Sequence, residues 1–558
     1  FKELFQNSIA QTHSISLSGG TAKSNYYISM SMMSDPGWYK DSQVKRYTAN
    51  FNATHHILDN LSFTLLGSVS YRKQKAPGTL SQDVDAVNGK VKRDFDINPY
   101  SYALNTSRAL DPNVYYQANY APFNILHELD ANNIDLNLVD TKFQAELAYN
   151  PIRDLRLDLV GAVQYDASTQ ENNVEETSNE AEAYRAMGTS QIRDHNNYLY
   201  TDPNDAYALP ISILPSGGFY QRTDLKKLSW DAKATANYNH VFNNIHTLNV
   251  LGGLDVSNVD REHTWFNGVG MQYERGMIPF YIYQYFKKAQ EQNNDYYSLS
   301  ETHNRTAAFF GTATYSYKQR YNLTGTIRYE GTNRLGHSSS ARWLPTWNIS
   351  GSWNAYEEPW FQKVFQQVMT HATIRASYSL TADPGPSDYT NSTVILKAYN
   401  PYRLFSTDKE SGIQVAKVEN SDLTYEKKHE LNLGLDLGFC NNRINTVFDI
   451  FWRNNYDLIG PAATEGTGGQ IIEYGNFAAM KSRGQELSIQ TENIKHKNFG
   501  WTSNFIYSHV TTTVTKLDGD VATMDLLAGN GGSGFTKEGY PSRAIFSIPY
   551  VGLDENGI

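Results

Sequence analysis

Cys440 is the only cysteine in 558 residues, so no internal disulfide framework can hold this chain. Long apolar runs are also missing. No stretch approaches the roughly 18 residues a membrane-spanning helix needs, and mean hydropathy is −0.55. A helical membrane protein is thereby excluded, but a transmembrane barrel is not, because half of each barrel strand faces water. A basic excess is absent too. The formal charge of −10 argues against nucleic acid as a partner. His127 and His429 each open a His-Glu-Leu triplet, but no second histidine follows four residues on, so no zinc-protease helix is present. The glycine-rich segment Gly529 to Gly539 lacks the Gly-Lys-Ser/Thr ending of a phosphate loop. The chain begins Phe-Lys-Glu-Leu rather than with methionine and has no signal peptide, which implies a mature chain or an internal segment.

What is present is alternation. In LNLGLDLGFCNNRINTVFDIFW, Leu431 to Trp452, apolar residues occupy every second position up to Phe439. They resume after Asn441-Asn442 at Ile444, Phe448, Ile450 and Trp452. Period two means strand, and asparagine tolerates the positive φ of a two-residue hairpin turn. Such a turn predicts the pairs Phe439–Ile444, Leu437–Thr446, Leu435–Phe448, Leu433–Ile450 and Leu431–Trp452 on one face. The other face then carries Gly438–Asn445, Asp436–Val447, Gly434–Asp449 and Glu430–Arg453. Nine residues at about 3.3 Å, tilted about 40°, cover about 23 Å of height, close to the ~25 Å apolar band of an outer-membrane barrel. Taken alone, the hairpin suits a β-sandwich equally well.

The connections decide between them. About seventeen such strands recur. Short turns fall near Gly19-Gly20, Ile57–Asn60, Pro151–Asp154, Phe242–Ile245, Lys318–Arg320 and Asn441-Asn442. Between them lie long loops, roughly Arg72 to Asp140, Asp166 to Lys226, Asn258 to His303, Gly331 to Pro345, Thr381 to Lys428, Asp457 to Lys481 and Lys516 to Ser542. Loops sorted by length onto two sides mark an outer-membrane barrel. The expected fold is all-β: a transmembrane antiparallel β-barrel with long extracellular loops and short periplasmic turns. An odd strand count cannot close a bacterial barrel, and the chain ends just after a strand. Residues 1–558 are therefore expected to be part of a barrel domain whose terminal strands lie outside this sequence.

Several segments, in order and over nearly the whole chain, resemble the SusC/RagA family of TonB-dependent outer-membrane transporters. They are THSISLSGGTAKSNYYISM (Thr12 to Met30), LTGTIRYEGTNRLG (Leu323 to Gly336) with RWLPTWNISGSWN (Arg342 to Asn354), and TIRASYSLTADPG (Thr373 to Gly385). LTYEKKHELNLGLDLGFCNNRI (Leu423 to Ile444), NFAAMKSRGQELSI (Asn476 to Ile489) and GYPSRAIFSIPYVGLDENG (Gly539 to Gly557) continue the series. The resemblance implies a 22-stranded barrel around a plug, a TonB-binding segment before the plug, and a SusD-like surface lipoprotein as lid. It also implies import of oligosaccharides or peptides, powered through TonB, ExbB and ExbD. The plug and TonB box are expected to lie outside this sequence. A passive porin, a siderophore or cobalamin transporter and a soluble all-β glycan-binding protein are the alternatives.

Import needs no catalytic residue, and no enzyme activity, resident metal or cofactor is expected. Asp518, Asp520 and Asp525 lack EF-hand spacing, so solvated loop carboxylates are expected there rather than a Ca²⁺ site. The candidates for substrate contact are loop aromatics and their polar neighbours: Trp265, Tyr281, Tyr283, Tyr285, Asn293, Asp295 and Trp343, with Asn267 and Asn294 nearby. Sugar rings stack C–H faces on aromatic rings, while amides and carboxylates bind hydroxyls. In FYIYQYF (Phe280 to Phe286), alternation puts Tyr281, Tyr283 and Tyr285 on one face. The plainer role for such aromatics is packing loops together or marking the membrane interface.

Overall fold

The computed structural model describes residues 2–78, 82–85, 90–93, 95, 97–292, 294–336, 338–365, 367–385, 394–399, 412–420, 422–463, 466, 472–517, 536–549 and 552. Among these residues one antiparallel sheet of seventeen strands dominates. Sixteen of its strands are long: β1 (Gln11–Gly20), β2 (Ser24–Asp35), β3 (Gln43–Leu58), β4 (Leu61–Pro77), β5 (Asn132–Ile152), β6 (Leu155–Val174), β7 (Gly218–Phe242) and β8 (His246–Gln272). They continue with β9 (Tyr297–Tyr317), β10 (Tyr321–Thr332), β11 (Trp343–Asn354), β12 (Met369–Asp383), β13 (Glu426–Phe439), β14 (Ile444–Ala463), β15 (Ile472–His496) and β16 (Phe499–Lys516). The seventeenth, Ile278–Pro279, only borders β8. Each long strand pairs with its neighbour in the chain, the up-and-down order of a barrel wall. No helix among the described residues is long and apolar enough to cross a membrane, a fact that bears on helical spans alone.

The β13–β14 register matches all nine pairs expected from the alternation, from Phe439–Ile444 to Glu430–Arg453. Asn441 and Asn442 take φ of 58° and 61°, and the Arg443 N–H donates to the Cys440 carbonyl at 3.3 Å. With Cys440 also at φ 53°, three successive residues take the left-handed conformation, which closes the hairpin tightly. A β-branched residue there is strained and glycine is not. Asn441→Val is therefore expected to cost about 1–2 kcal/mol and Asn441→Gly almost nothing. Urea midpoints of the folded receptor would show the difference, and equal midpoints would contradict the turn geometry.

The two faces of the wall differ as the pattern demands. Outward lie Ile15, Leu17, Phe63, Phe143, Leu159, Leu254, Phe309, Leu323, Ile327, Ile349 and Leu433, all exposed. Inward, strands β1–β4 carry hydroxyls and amides, such as Ser31 beside Thr48 and Thr54 3.0 Å from Thr64. From β5 onward the inner face carries ion pairs. Arg375 holds Asp436 with two 2.8 Å bonds and reaches Asp449 at 3.3 Å. Arg328 bridges Asp255 at 3.1 Å and Glu330 at 2.6 Å, and Arg453 meets Glu430 at 2.7 Å. Such a wall suits water, not hydrocarbon.

Three expectations are corrected. The strands run well past the apolar band: β6 extends to Val174, β8 to Gln272 and β14 to Ala463. Above the membrane both faces meet water, so alternation fades although hydrogen bonding continues. Phe280 to Phe286 is not a strand. Tyr283–Glu291 is an α-helix, because Lys287 pairs with Asp202 and with Glu291 one turn on, and Tyr285 packs into a loop core. Finally, the connection 355–368, on the short-turn side, holds a helix, Pro359–Phe365. Phe361 is buried there with Ala355 and Ala372.

Fully buried side chains concentrate in the extracellular loops. Ile97, Phe123, Ile125 and Leu4 form one core. Val174, Ala181, Leu214, Phe219 and Val269 form another. These cores hold the loops between β4 and β5 and between β6 and β7 as a folded layer above the barrel mouth.

Candidate functional site at the extracellular mouth

The loop layer and the tops of β7, β8 and β9 frame a half-open cavity of about 510 Å³. Trp265 and Asn267 enter it from β8. They share the inner face with Asp255, since β8 pairs with β9 without a register break from His246 to Phe266. Thr223 and Ser298 flank Trp265 on the neighbouring strands, and these small side chains leave the indole room. The cavity is closed from the side by the helix Tyr283–Glu291, which supplies Tyr285 and Lys288, and by Asn294 and Asp295 just after it. Tyr184 and Phe219 complete the apolar side, with ring centroids 5.0 Å apart at 69°.

The electrostatics are mixed. Burial pushes the Lys288 ammonium below its ordinary pKa, and its Nζ donates to the Tyr198 carbonyl at 3.5 Å. Burial raises the Tyr285 phenol, with Tyr296 adding to the effect. The Asn267 backbone N–H donates to the Tyr296 carbonyl at 2.7 Å, whereas the buried Asn267 Oδ1 has no hydrogen-bond partner among the described residues. Such an acceptor is costly to bury unfilled, and a ligand hydroxyl or N–H would fill it.

Of the residues expected from sequence, Trp265, Tyr285 and Asp295 meet here, together with Asn267 and Asn294. Asn293 lies outside the described residues, as do Asp518, Asp520 and Asp525. Tyr281 and Tyr283 stand exposed at the outer surface. Two positions apart on a helix point to different sides, so Tyr283 faces away while Tyr285 faces in. Trp343 is on the other side of the wall. It pairs with Gly331 and stacks on Tyr329, centroids 5.2 Å apart at 28°, on the face that carries Ile327. This is an interfacial girdle position. Tyr184, Phe219 and Lys288 were not marked by the sequence, because segments distant in the chain bring them together.

The matching family model is the TonB dependent receptor-like β-barrel, over residues 5–544. The chain belongs to this family of TonB-dependent receptor barrels. As a receptor barrel it is an outer-membrane protein. It is 24% identical over 542 residues to the TonB-dependent receptor SusC of Bacteroides thetaiotaomicron, covering 93% of this chain and 48% of SusC. It is also 26% identical over 263 residues to TonB-dependent receptor P3 of Formosa agariphila, covering 46% of this chain and 25% of P3. The barrel superposes on the RagAB peptide transporter with a TM-score of 0.70 at 17% identity, covering 100% of this chain and 56% of that one. The closed-closed state of the RagAB peptide importer gives 0.71 at 16%. The receptor barrel thus spans about half the length of the relatives it matches or less. The family comprises receptors rather than enzymes.

Proposed function

We propose that this chain is the barrel of a TonB-dependent importer that takes up oligosaccharides, with a SusD-like lipoprotein lid over its mouth. TonB, ExbB and ExbD would energise transport through the plug of the complete receptor. The observation that carries the reading is the mouth cavity. An indole and a phenol line it beside Asn267, Asn294 and Asp295. Ring faces with flanking hydrogen-bonding groups suit a sugar, and the charged inner wall below suits a hydrated solute. A peptide is the second reading, favoured by the superposition on a peptide transporter. Binding of neutral oligosaccharides and of mixed peptides to the complete purified receptor, followed by native mass spectrometry, separates the two. Retention of oligosaccharides is expected, and retention of peptides alone would reassign the cargo. Uptake is expected to stop when the proton gradient is collapsed; unchanged uptake would identify a passive porin.

A further inference from the structure

The outer wall changes character near its extracellular rim. At the upper ends of β13 to β16 the outward positions form two rows. Leu431, Trp452, Arg483 and Thr511 face one another across the four strands, and His429, Asn454, Lys481 and Thr513 form the row above. No register break falls within these rows. With Tyr378 of β12, they frame a half-open hollow of about 550 Å³. Four residues lower, the same face is Leu435, Phe448, Leu487 and Tyr507. The hollow therefore sits where the apolar band gives way to the headgroup level, beside the girdle ring of Trp452.

Its charge is of one sign. Lys481 and Arg483 both point outward from β15 and are exposed. Among the described residues neither side chain has a hydrogen-bond or ion-pair partner, and no carboxylate lines the hollow. Arg483 lies over the Trp452 ring, 5.9 Å from its centroid. Other outward cations near the rim are neutralised: Lys226 meets Glu262 at 3.4 Å and Lys427 meets Asp457 at 2.8 Å. Two unpaired cations one row apart repel each other, and bordering hydrocarbon strengthens that repulsion. A further polar group here is also unfilled. The His429 ring is held between Tyr378 and Tyr456, with centroids 5.6 Å away on each side at 12° and 13°. Its Nδ1 is buried without a hydrogen-bond partner among the described residues.

We propose that this hollow seats the phosphate-bearing headgroup of an outer-leaflet lipid. A guanidinium fork and an ammonium beside it match the oxygens of a phosphate. The Thr511 and Thr513 hydroxyls supply further donors from the next strand. The lipid's acyl chains would then run down the apolar face below, along Leu435 and Phe448. That continuity favours a lipid over free phosphate, because Leu431 and Trp452 in the hollow itself have no use for a small hydrated anion. A second copy of the receptor fits less well. A two-fold contact centred here would set Lys481 and Arg483 against their own counterparts.

The test is native mass spectrometry of the complete detergent-purified receptor, titrated with monophosphoryl lipid A. The same lipid with its phosphate removed, and inorganic phosphate, are the comparison probes. Wild-type receptor is expected to retain the phosphorylated lipid at this seat. Lys481→Ala with Arg483→Ala should lose one bound lipid per chain, with affinity lowered about 25-fold. Both side chains are exposed, so the variant should keep the heat-modified gel mobility of a folded barrel. Lys226→Ala, which removes a paired cation from the same face, should leave lipid retention unchanged. The phosphate-free lipid should bind no better to wild type than to the double variant. Equal retention of the phosphorylated lipid by wild type and the double variant would overturn the proposal. So would inorganic phosphate binding as tightly as the lipid, or receptor dimers that dissociate in the double variant while lipid retention stays the same.

Discussion

The Ile349→Arg variant is expected to destabilise the barrel by about 2–4 kcal/mol, whereas Ser350→Arg is expected to leave it close to wild type. The two residues are adjacent on β11. Ile349 is 56% exposed and lies between Gly325 and Tyr378 on the outer face. It lies between Trp343 and Trp353 on the same strand, hence near the bilayer midplane, where a guanidinium costs most. Ser350 lies between Thr324 and Ser377 on the inner face, where arginine stays hydrated and only alters the lumen field. Denaturant titration of the receptor refolded into bilayers measures both. Equal losses, or a larger loss for Ser350→Arg, would mean that the faces have been assigned the wrong way round.

Removing the indole at the mouth should produce the second large effect. Trp265→Ala is expected to weaken cargo binding by about 30-fold, corresponding to the roughly 2 kcal/mol typical of a buried aromatic anchor. Trp343→Ala and Tyr283→Ala should leave affinity unchanged, because one ring lies on the outer wall and the other on the outer surface. Isothermal titration of the purified receptor, with folding checked by heat-modified gel mobility, is the measurement. Undiminished affinity in Trp265→Ala would remove the cavity from the binding path and leave the barrel assignment intact.

The β13–β14 hairpin shows what local sequence can specify. A strict period of two and a turn that requires positive φ leave one register, since a slip of one residue would put leucine in the lumen and Asp436 in lipid. The segment Phe280 to Phe286 shows where the same logic fails. Seven residues rich in tyrosine and phenylalanine alternate by composition, and aromatic residues accept strand or helix. Contacts with Asp202 and with the core around Leu214 select the helix. For the same reason the candidate site was only partly legible. Trp265, Tyr285 and Asp295 stand out as aromatic or polar residues in long connections. Tyr184, Phe219 and Lys288 have no local signal, and Trp343 looks like a loop residue until its pairing with Gly331 puts it on the outer wall.

The chain's own residues determined the up-and-down wall, the apolar outer face and the sorting of short turns from long loops. Each follows from periodicity and backbone chemistry over a few neighbouring positions. Which loop aromatics meet and how far the strands rise above the membrane were decided only in three dimensions. Those features depend on contacts between segments tens of residues apart, and no local pattern encodes which distant side chain will fill a given space.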